Sequence, residues 1–83
     1  MKKIVVYSKN ACAWCMMVKK WLQMKQAQYE EINTDEHPEV LAHVMKISGA
    51  ATLPVVLIED EQTKNQTISI GYKPGQLASA LGA

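Results

Sequence analysis

The sequence predicts an α/β domain with the element order βαβαββα, an expectation carried by three features. Residues 3–7 (KIVVY) and 53–59 (LPVVLIE) are short runs rich in β-branched residues, as buried strands are. Two stretches between them repeat their apolar residues every three to four positions, the period of a helix packed on a sheet. Pro38 and Pro74 each stand where a helix would open, the position at which a missing N–H costs nothing.

The elements follow in order. The first strand ends in "SKNACA", which supplies turn residues. From about residue 13 to residue 26 two adjacent stripes, Cys15, Val18, Leu22 and Met17, Trp21, Met24, form an apolar face broad enough to lie on a sheet, with Lys19, Lys20 and Gln23 turned away. Residues 28–33 (QYEEIN) form a second strand, although Tyr29 and Ile32 are an odd spacing apart and break strict alternation. A helix from Pro38, capped by Asp35 or His37, turns Val40, Leu41, Val44, Met45 and Ile47 inward and stops at Gly49. The run at 53–59 is central in the sheet, and residues 67–70 (TISI) return antiparallel to it through a polar loop, longer than the minimal two residues, that spans 59–66. Pro74 opens a last short helix that buries Leu77 and Leu81. Helices are expected on both faces of a four-stranded mixed sheet, in one domain covering 1–83.

Composition excludes several functions. Nine basic residues against eight acidic ones leave a formal charge of +1 with no five-residue run of one sign, so nothing marks a nucleic-acid or anionic-membrane surface. The opening "MKKIVV" is cut short by Tyr7, Ser8 and Lys9 and reads as a strand rather than a secretory signal. No apolar stretch approaches the roughly 20 residues that a membrane helix needs. The expected location is the cytoplasm, where a permanent disulfide is disfavoured.

That compartment sharpens the question of Cys12 and Cys15, the chain's two cysteines. A bridge across two intervening residues removes little entropy from the unfolded chain, so a structural staple is a poor account. The spacing puts Cys12 in the turn before the first helix and Cys15 in its first turn. Free N–H groups and roughly half a positive charge at a helix N-terminus favour a thiolate there. Cys12 is therefore the expected nucleophile, exposed and ionised, and Cys15, one turn on and more buried, the resolving thiol. Lys9 either adds positive charge beside Cys12 or is a solvated turn lysine. Ala13 and Trp14, between the sulfurs, are placed to tune the redox balance. A zinc reading is weaker: with His37 and His43 the cysteines give C-x2-C-x21-H-x5-H, too widely spaced for a small finger.

"YSKNACAWC" after the first strand, "TLPVV" entering the third and Gly71 after the fourth together resemble the thioredoxin-fold redoxins of glutaredoxin size, along essentially the whole chain. Thioredoxins proper carry an extra strand and helix before the cysteines, and a tryptophan immediately ahead of them rather than inside the motif. The segment "IGYKPGQ" is similar to the Gly-aromatic-basic-Pro segment of NrdH-redoxins and lacks the acidic residue with which glutaredoxins hold the glutathione amino end. The Ala13-Trp14 dipeptide and the 59–66 loop depart from both branches.

The resemblance implies a dithiol electron donor that reduces protein disulfides. It would act as a monomer, with no bound cofactor beyond its redox-active Cys12–Cys15 disulfide. Its electrons would come from NADPH through thioredoxin reductase, and ribonucleotide reductase is a possible client. The alternatives are a glutathione-dependent glutaredoxin and a zinc or iron–sulfur module without turnover. It also implies a cis Pro54, with the Leu53 backbone offered to an extended substrate and Thr52, Gly71 and Tyr72 lining the groove. Met16, on the polar side of the first helix, would form an apolar rim with Trp14 and Tyr72. Tyr7, Trp21, Met17, Met24 and Met45 are expected to be packing residues.

Overall fold

Seven elements follow the expected order: β1 (Lys2–Ser8), α1 (Ala13–Met24), β2 (Glu30–Asn33), α2 (Pro38–Ser48), β3 (Val55–Asp60), β4 (Gln66–Ile70) and α3 (Pro74–Leu81). The computed structural model describes residues 2–49 and 52–82. One mixed sheet runs β2-β1-β3-β4, with β2 parallel to β1 and the β1–β3 and β3–β4 pairs antiparallel. Parallel neighbours need a crossover, and α1 provides it.

The unbroken apolar runs of β1 and β3 follow from their central places, since both faces are covered. Ile4 and Val6 pair with Ile58 and Val56, and these four meet Val18 and Leu22 of α1 and Leu77 of α3. Val5 and Tyr7 pair with Leu57 and Val55 on the other face, packed against Val44 of α2. Burying a side chain such as Leu22 stabilises the fold by about 1.5–3 kcal/mol. Burial, with the nearby charge of Glu30, holds the Tyr7 hydroxyl above its ordinary pKa. The odd Tyr29–Ile32 spacing now has its reason: Tyr29 precedes β2 and packs on the α1 side, whereas Ile32 packs on the α2 side.

Several boundaries differ from the expectation. Helix α1 stops at Met24, because Lys25 leaves the helical region and Gln26 turns left-handed at φ +57°. Strand β3 begins after the Leu53–Pro54 bond, which is cis. The hairpin extends both its strands, so the expected 59–66 loop shrinks to residues 61–65. Asp60 closes it: one carboxylate oxygen accepts the N–H groups of Gln62 and Thr63, and its carbonyl accepts that of Lys64. At α2 His37 occupies the N-cap position without a side-chain hydrogen bond, and the Asp35 carboxylate is engaged elsewhere. Gly49, at φ +74°, ends that helix as expected.

The methionines are the clearest correction. Met17 and Met45 are exposed, and Met24 is 71% exposed. Only the Cys15, Val18, Leu22 stripe of α1 is buried, with Trp21 packed against its edge. Periodicity tells which residues share a face. The width of the surface opposite that face is a tertiary property, and here it ends at Trp21.

Candidate active site

Cys12 is the N-cap of α1, in extended conformation at φ −112°, ψ 103°. Its sulfur accepts the Cys15 N–H at 3.1 Å, and its carbonyl accepts the Met16 N–H at 3.2 Å. The Met16 bond is the first within the helix, and the Cys15 N–H, one of the donors that a helix start leaves unpaired, is satisfied by the capping side chain. Cys12 and Cys15 are joined as a disulfide with their Cα atoms 5.2 Å apart, a separation natural to a bridge within one helical turn. No acidic residue stands in the first turn to oppose negative charge on the sulfur.

Exposure of Cys12 departs from the expectation. The residue is only 8% exposed, against 1% for Cys15. Both the cap bond and the bridge to the buried Cys15 draw the side chain over the first turn instead of letting it project into water. The order of burial is as expected, with Cys15 the deeper.

Three segments converge beside the pair. Trp14, Thr52, Leu53, Gly71 and Tyr72 line an open groove of about 180 Å³. Trp14, itself 60% exposed, stacks on Tyr72 with ring centroids 6.0 Å apart and planes 22° apart. Gly71 has φ +78°, a conformation that suits glycine, and its N–H donates to the Pro54 carbonyl at 2.8 Å. That bond ties the exit of β4 to the loop before β3. The groove therefore unites the helix start, the cis-proline loop and the β4 exit, which lie far apart in sequence.

Met16 lies elsewhere. It is 65% exposed and lines a separate depression along α1 with Ala13, Met17, Lys19, Lys20 and Gln23. The Trp14–Tyr72 pair and Met16 thus border two different concavities. Lys9 is exposed in the turn between β1 and α1.

Sequence reasoning missed the contacts that hold this turn. Thr34, which is buried, donates both its backbone N–H and its hydroxyl to the Ser8 carbonyl, at 2.7 and 2.9 Å. The Asp35 carboxylate accepts the Asn10 N–H at 2.8 Å, and Asn33 Nδ2 donates to Asn10 Oδ1 at 2.9 Å. Asn33 Oδ1 in turn accepts the Asp35 N–H at 2.8 Å. On the neighbouring side Glu31 accepts from the Ser8 hydroxyl at 2.7 Å and from Lys19 at 2.9 Å. The Lys19 hydrogen bond, then that of Ser8, holds the Glu31 carboxyl below its usual range. The only trace of this in the sequence is the run Asn33-Thr34-Asp35, three residues whose short polar side chains bond to backbone.

His37 pairs with Glu39 at 3.6 Å, and His43 is exposed on α2. Among the described residues no group of three or more histidine, cysteine or acidic side chains is placed to hold a metal ion. Nor is any helix among them long and apolar enough to cross a membrane.

Comparison with known proteins agrees with this geometry. A glutaredoxin family model matches residues 4–62. The glutaredoxin-like protein NrdH of Lactococcus lactis subsp. lactis is 40% identical over 75 residues, which cover 90% of this chain and 94% of that protein. The solved structure of the glutaredoxin-like NrdH-redoxin of Escherichia coli, described by its thioredoxin-like activity profile, superposes with a TM-score of 0.75 at 26% identity. It covers 93% of this chain and 92% of its own. A glutaredoxin from Archaeoglobus fulgidus shares the fold with a TM-score of 0.82 at 24% identity, covering 100% of this chain and 89% of its own. A cysteine pair bridged at the start of the first helix, in a chain that matches the family model through both of its central strands, makes this protein a member of the glutaredoxin family and a thiol-disulfide oxidoreductase.

Proposed function

We propose that the protein is a dithiol electron donor of the NrdH-redoxin kind, reducing disulfides in other proteins and itself recharged from NADPH by thioredoxin reductase. Cys12 is the nucleophile. In the reduced protein its thiolate, favoured by the helix start, attacks one sulfur of a partner's disulfide. The partner's S–S bond breaks, and its second sulfur leaves as a thiolate that takes a proton from water. Cys15 then gives up its proton and attacks Cys12 in the mixed disulfide. The partner leaves with two thiols, and the Cys12–Cys15 bond holds the oxidising equivalents. Two electrons have moved, and NADPH returns them through the reductase.

The observation that carries this choice of reductant is the groove. Its lining residues, Trp14, Thr52, Leu53, Gly71 and Tyr72, include no carboxylate, and Lys73 follows Tyr72. A glutathione ammonium group would find no counter-charge among them. The two stacked rings offer instead an apolar wall to an extended protein segment lying along the Leu53 backbone, with the Thr52 hydroxyl beside it. Lys9, Ala13 and Trp14 tune the balance between dithiol and disulfide, and Met16 marks a second apolar contact for a docking protein. The site of action is the cytoplasm, the working form a monomer, and a ribonucleotide reductase is a client consistent with the NrdH relatives.

The test offers the oxidised protein either NADPH with thioredoxin reductase or NADPH with glutathione and its reductase. Rapid NADPH consumption in the first mixture alone is expected; consumption in the second alone refutes the proposed reductant. Insulin-disulfide reduction should vanish in Cys12→Ser, while Cys15→Ser should accumulate a mixed disulfide.

A further inference from the structure

We propose that Asn33 and Asp35 are positioning residues for the redox reaction, clamping the turn before α1 so that the Cys12 sulfur meets the helix start. The inference rests on the reading of Cys12 as nucleophile and adds to it two residues, on a different loop, on which that nucleophile depends.

The turn between β1 and α1 is short and unusual. Ala11, immediately before Cys12, lies at φ +53°, where an L-residue with a β-carbon suffers steric repulsion. Such a conformation persists when surrounding contacts over-determine it. Those contacts come from one place, the last residue of β2 and the loop that leads from it to α2. Thr34 holds the Ser8 carbonyl at the start of the turn. Asp35 holds the Asn10 backbone N–H, and Asn33 holds the Asn10 side chain, one residue before Ala11. Asn33 also fixes Asp35 by accepting its N–H, so the two act as one unit. The turn is therefore pinned on both sides of Lys9, and the chain is delivered into Ala11 and the Cys12 cap in a single conformation.

The consequence falls on one bond, from the Cys15 N–H to the Cys12 sulfur. A cap bond of this kind depends on the cap residue keeping its extended backbone. If Asn10 is released, Ala11 can relax toward negative φ, and the sulfur then swings away from the helix N–H groups. The thiolate loses its stabilisation, so less of it is present at neutral pH.

The charge of Asp35 gives the test its sign. If Asp35 acted only as a nearby negative charge, removing it would make Cys12 easier to ionise. If it acts as a clamp, removing it makes Cys12 harder to ionise. The experiment is run in the Cys15→Ser background, where Cys12 is the sole thiol. It follows the rate of reaction with a small uncharged disulfide against pH, together with ultraviolet thiolate absorbance. Asp35→Ala is expected to move the midpoint of both profiles to higher pH and to slow the reaction at neutral pH by about three- to tenfold. Asp35→Asn, which keeps an oxygen to accept the Asn10 N–H, should stay within about twofold of the parent, because a retained acceptor preserves the turn.

Profiles for Asp35→Ala that coincide with the parent, or move to lower pH, overturn the proposal, as does a shift in Asp35→Asn equal to that in Asp35→Ala. Circular dichroism and Tm report whether Asp35→Ala is folded; if it is not, Asn10→Ala decides. That variant removes only the exposed acceptor for Asn33 and should shift the profile in the same direction by a smaller amount, so an unshifted profile sinks the idea. Turnover surviving in Cys12→Ser would refute the nucleophile itself. An inert Cys12→Ser with an unshifted Asp35→Ala refutes the clamp alone.

Discussion

Besides Gln26 at the end of α1, two turns each force a residue with a side chain into the left-handed region, and these two are held in opposite ways. In the hairpin, Lys64 sits at φ +64°, closed by bonds from within: the Asp60 carboxylate takes Gln62 and Thr63, the Asp60 carbonyl takes Lys64, and the Asp60 N–H reaches the Asn65 carbonyl. Before α1, Ala11 sits at φ +53° in a turn tied down by Asn33, Thr34 and Asp35, more than twenty residues away. A self-closed turn can change without consequence elsewhere. A turn closed from a distance couples the two loops, and here one of them carries the reacting sulfur.

The largest effects expected separate the two turns by function. Cys12→Ser should abolish disulfide reduction outright. Replacing residues 61–64 by a two-residue Asn-Gly turn, which keeps Asp60 opposite Asn65 and fits a hairpin of this twist, should leave turnover within about twofold of the parent. Loss of activity on shortening the hairpin would show that this loop takes part in the reaction.

Next comes a β-branched substitution at the left-handed residue of each of these two turns. Ala11→Val and Lys64→Val should each destabilise the fold by about 1–2 kcal/mol, since crowding in the left-handed region is worst for branched side chains. In a chain of this size that lowers Tm by roughly 4–16 °C, measured by thermal denaturation. Only Ala11→Val should also slow disulfide reduction. Equal slowing in both variants would mean that activity follows stability and the contrast between the turns is empty.

How much of this was legible in the sequence follows the same division. Local signals were read correctly: the strand runs, the helix stripe of Cys15, Val18 and Leu22, the Gly49 stop and the prolines that open α2 and α3 are all consequences of neighbours along the chain. The place of Cys12 at the start of α1 was legible for the same reason. Its burial was not, because that depends on where the capping side chain turns, and the exposure of Met24 was not, because that depends on the width of the surface α1 meets. Asp35 was read as a possible cap for α2, the nearest helix in sequence, whereas its partner is Asn10, 25 positions earlier. A polar residue near a helix start has several backbone N–H groups within reach once the chain is folded, and spacing ranks only those nearby in sequence.

Acid stability should show a finer version of the contrast. Glu31 bridges Ser8 and Lys19, so its carboxyl, held low by those bonds, joins β2 to β1 and to α1. Asp60 is also held low, first by the Gln62 N–H and then by Thr63 within its own hairpin, with Lys2 of the neighbouring β1 adding a contact at the surface. A carboxyl whose folded pKa is depressed contributes stability that is complete above its unfolded pKa and is lost as pH falls through the folded value. Glu31→Gln should therefore flatten the acid limb of the Tm–pH curve, with the parent and variant converging at the lowest pH. A variant curve parallel to the parent would show that the bridge does not titrate with folding.

The smallest effect belongs to Asp60→Asn. The substituted amide keeps an oxygen for the Gln62 and Thr63 N–H groups, so the turn survives and only the charge facing Lys2 at 3.4 Å is lost. Both partners are substantially exposed, and a pair of that kind contributes little once salt screens it. Any difference in Tm between the parent and Asp60→Asn should be marginal at low ionic strength and disappear at high salt, with turnover unchanged throughout. The Glu31→Gln difference should shrink less over the same salt series, because Ser8, one of its two partners, is a buried neutral hydroxyl that salt does not screen. If salt erased both differences alike, the bridge across the sheet would be no more than another surface ion pair.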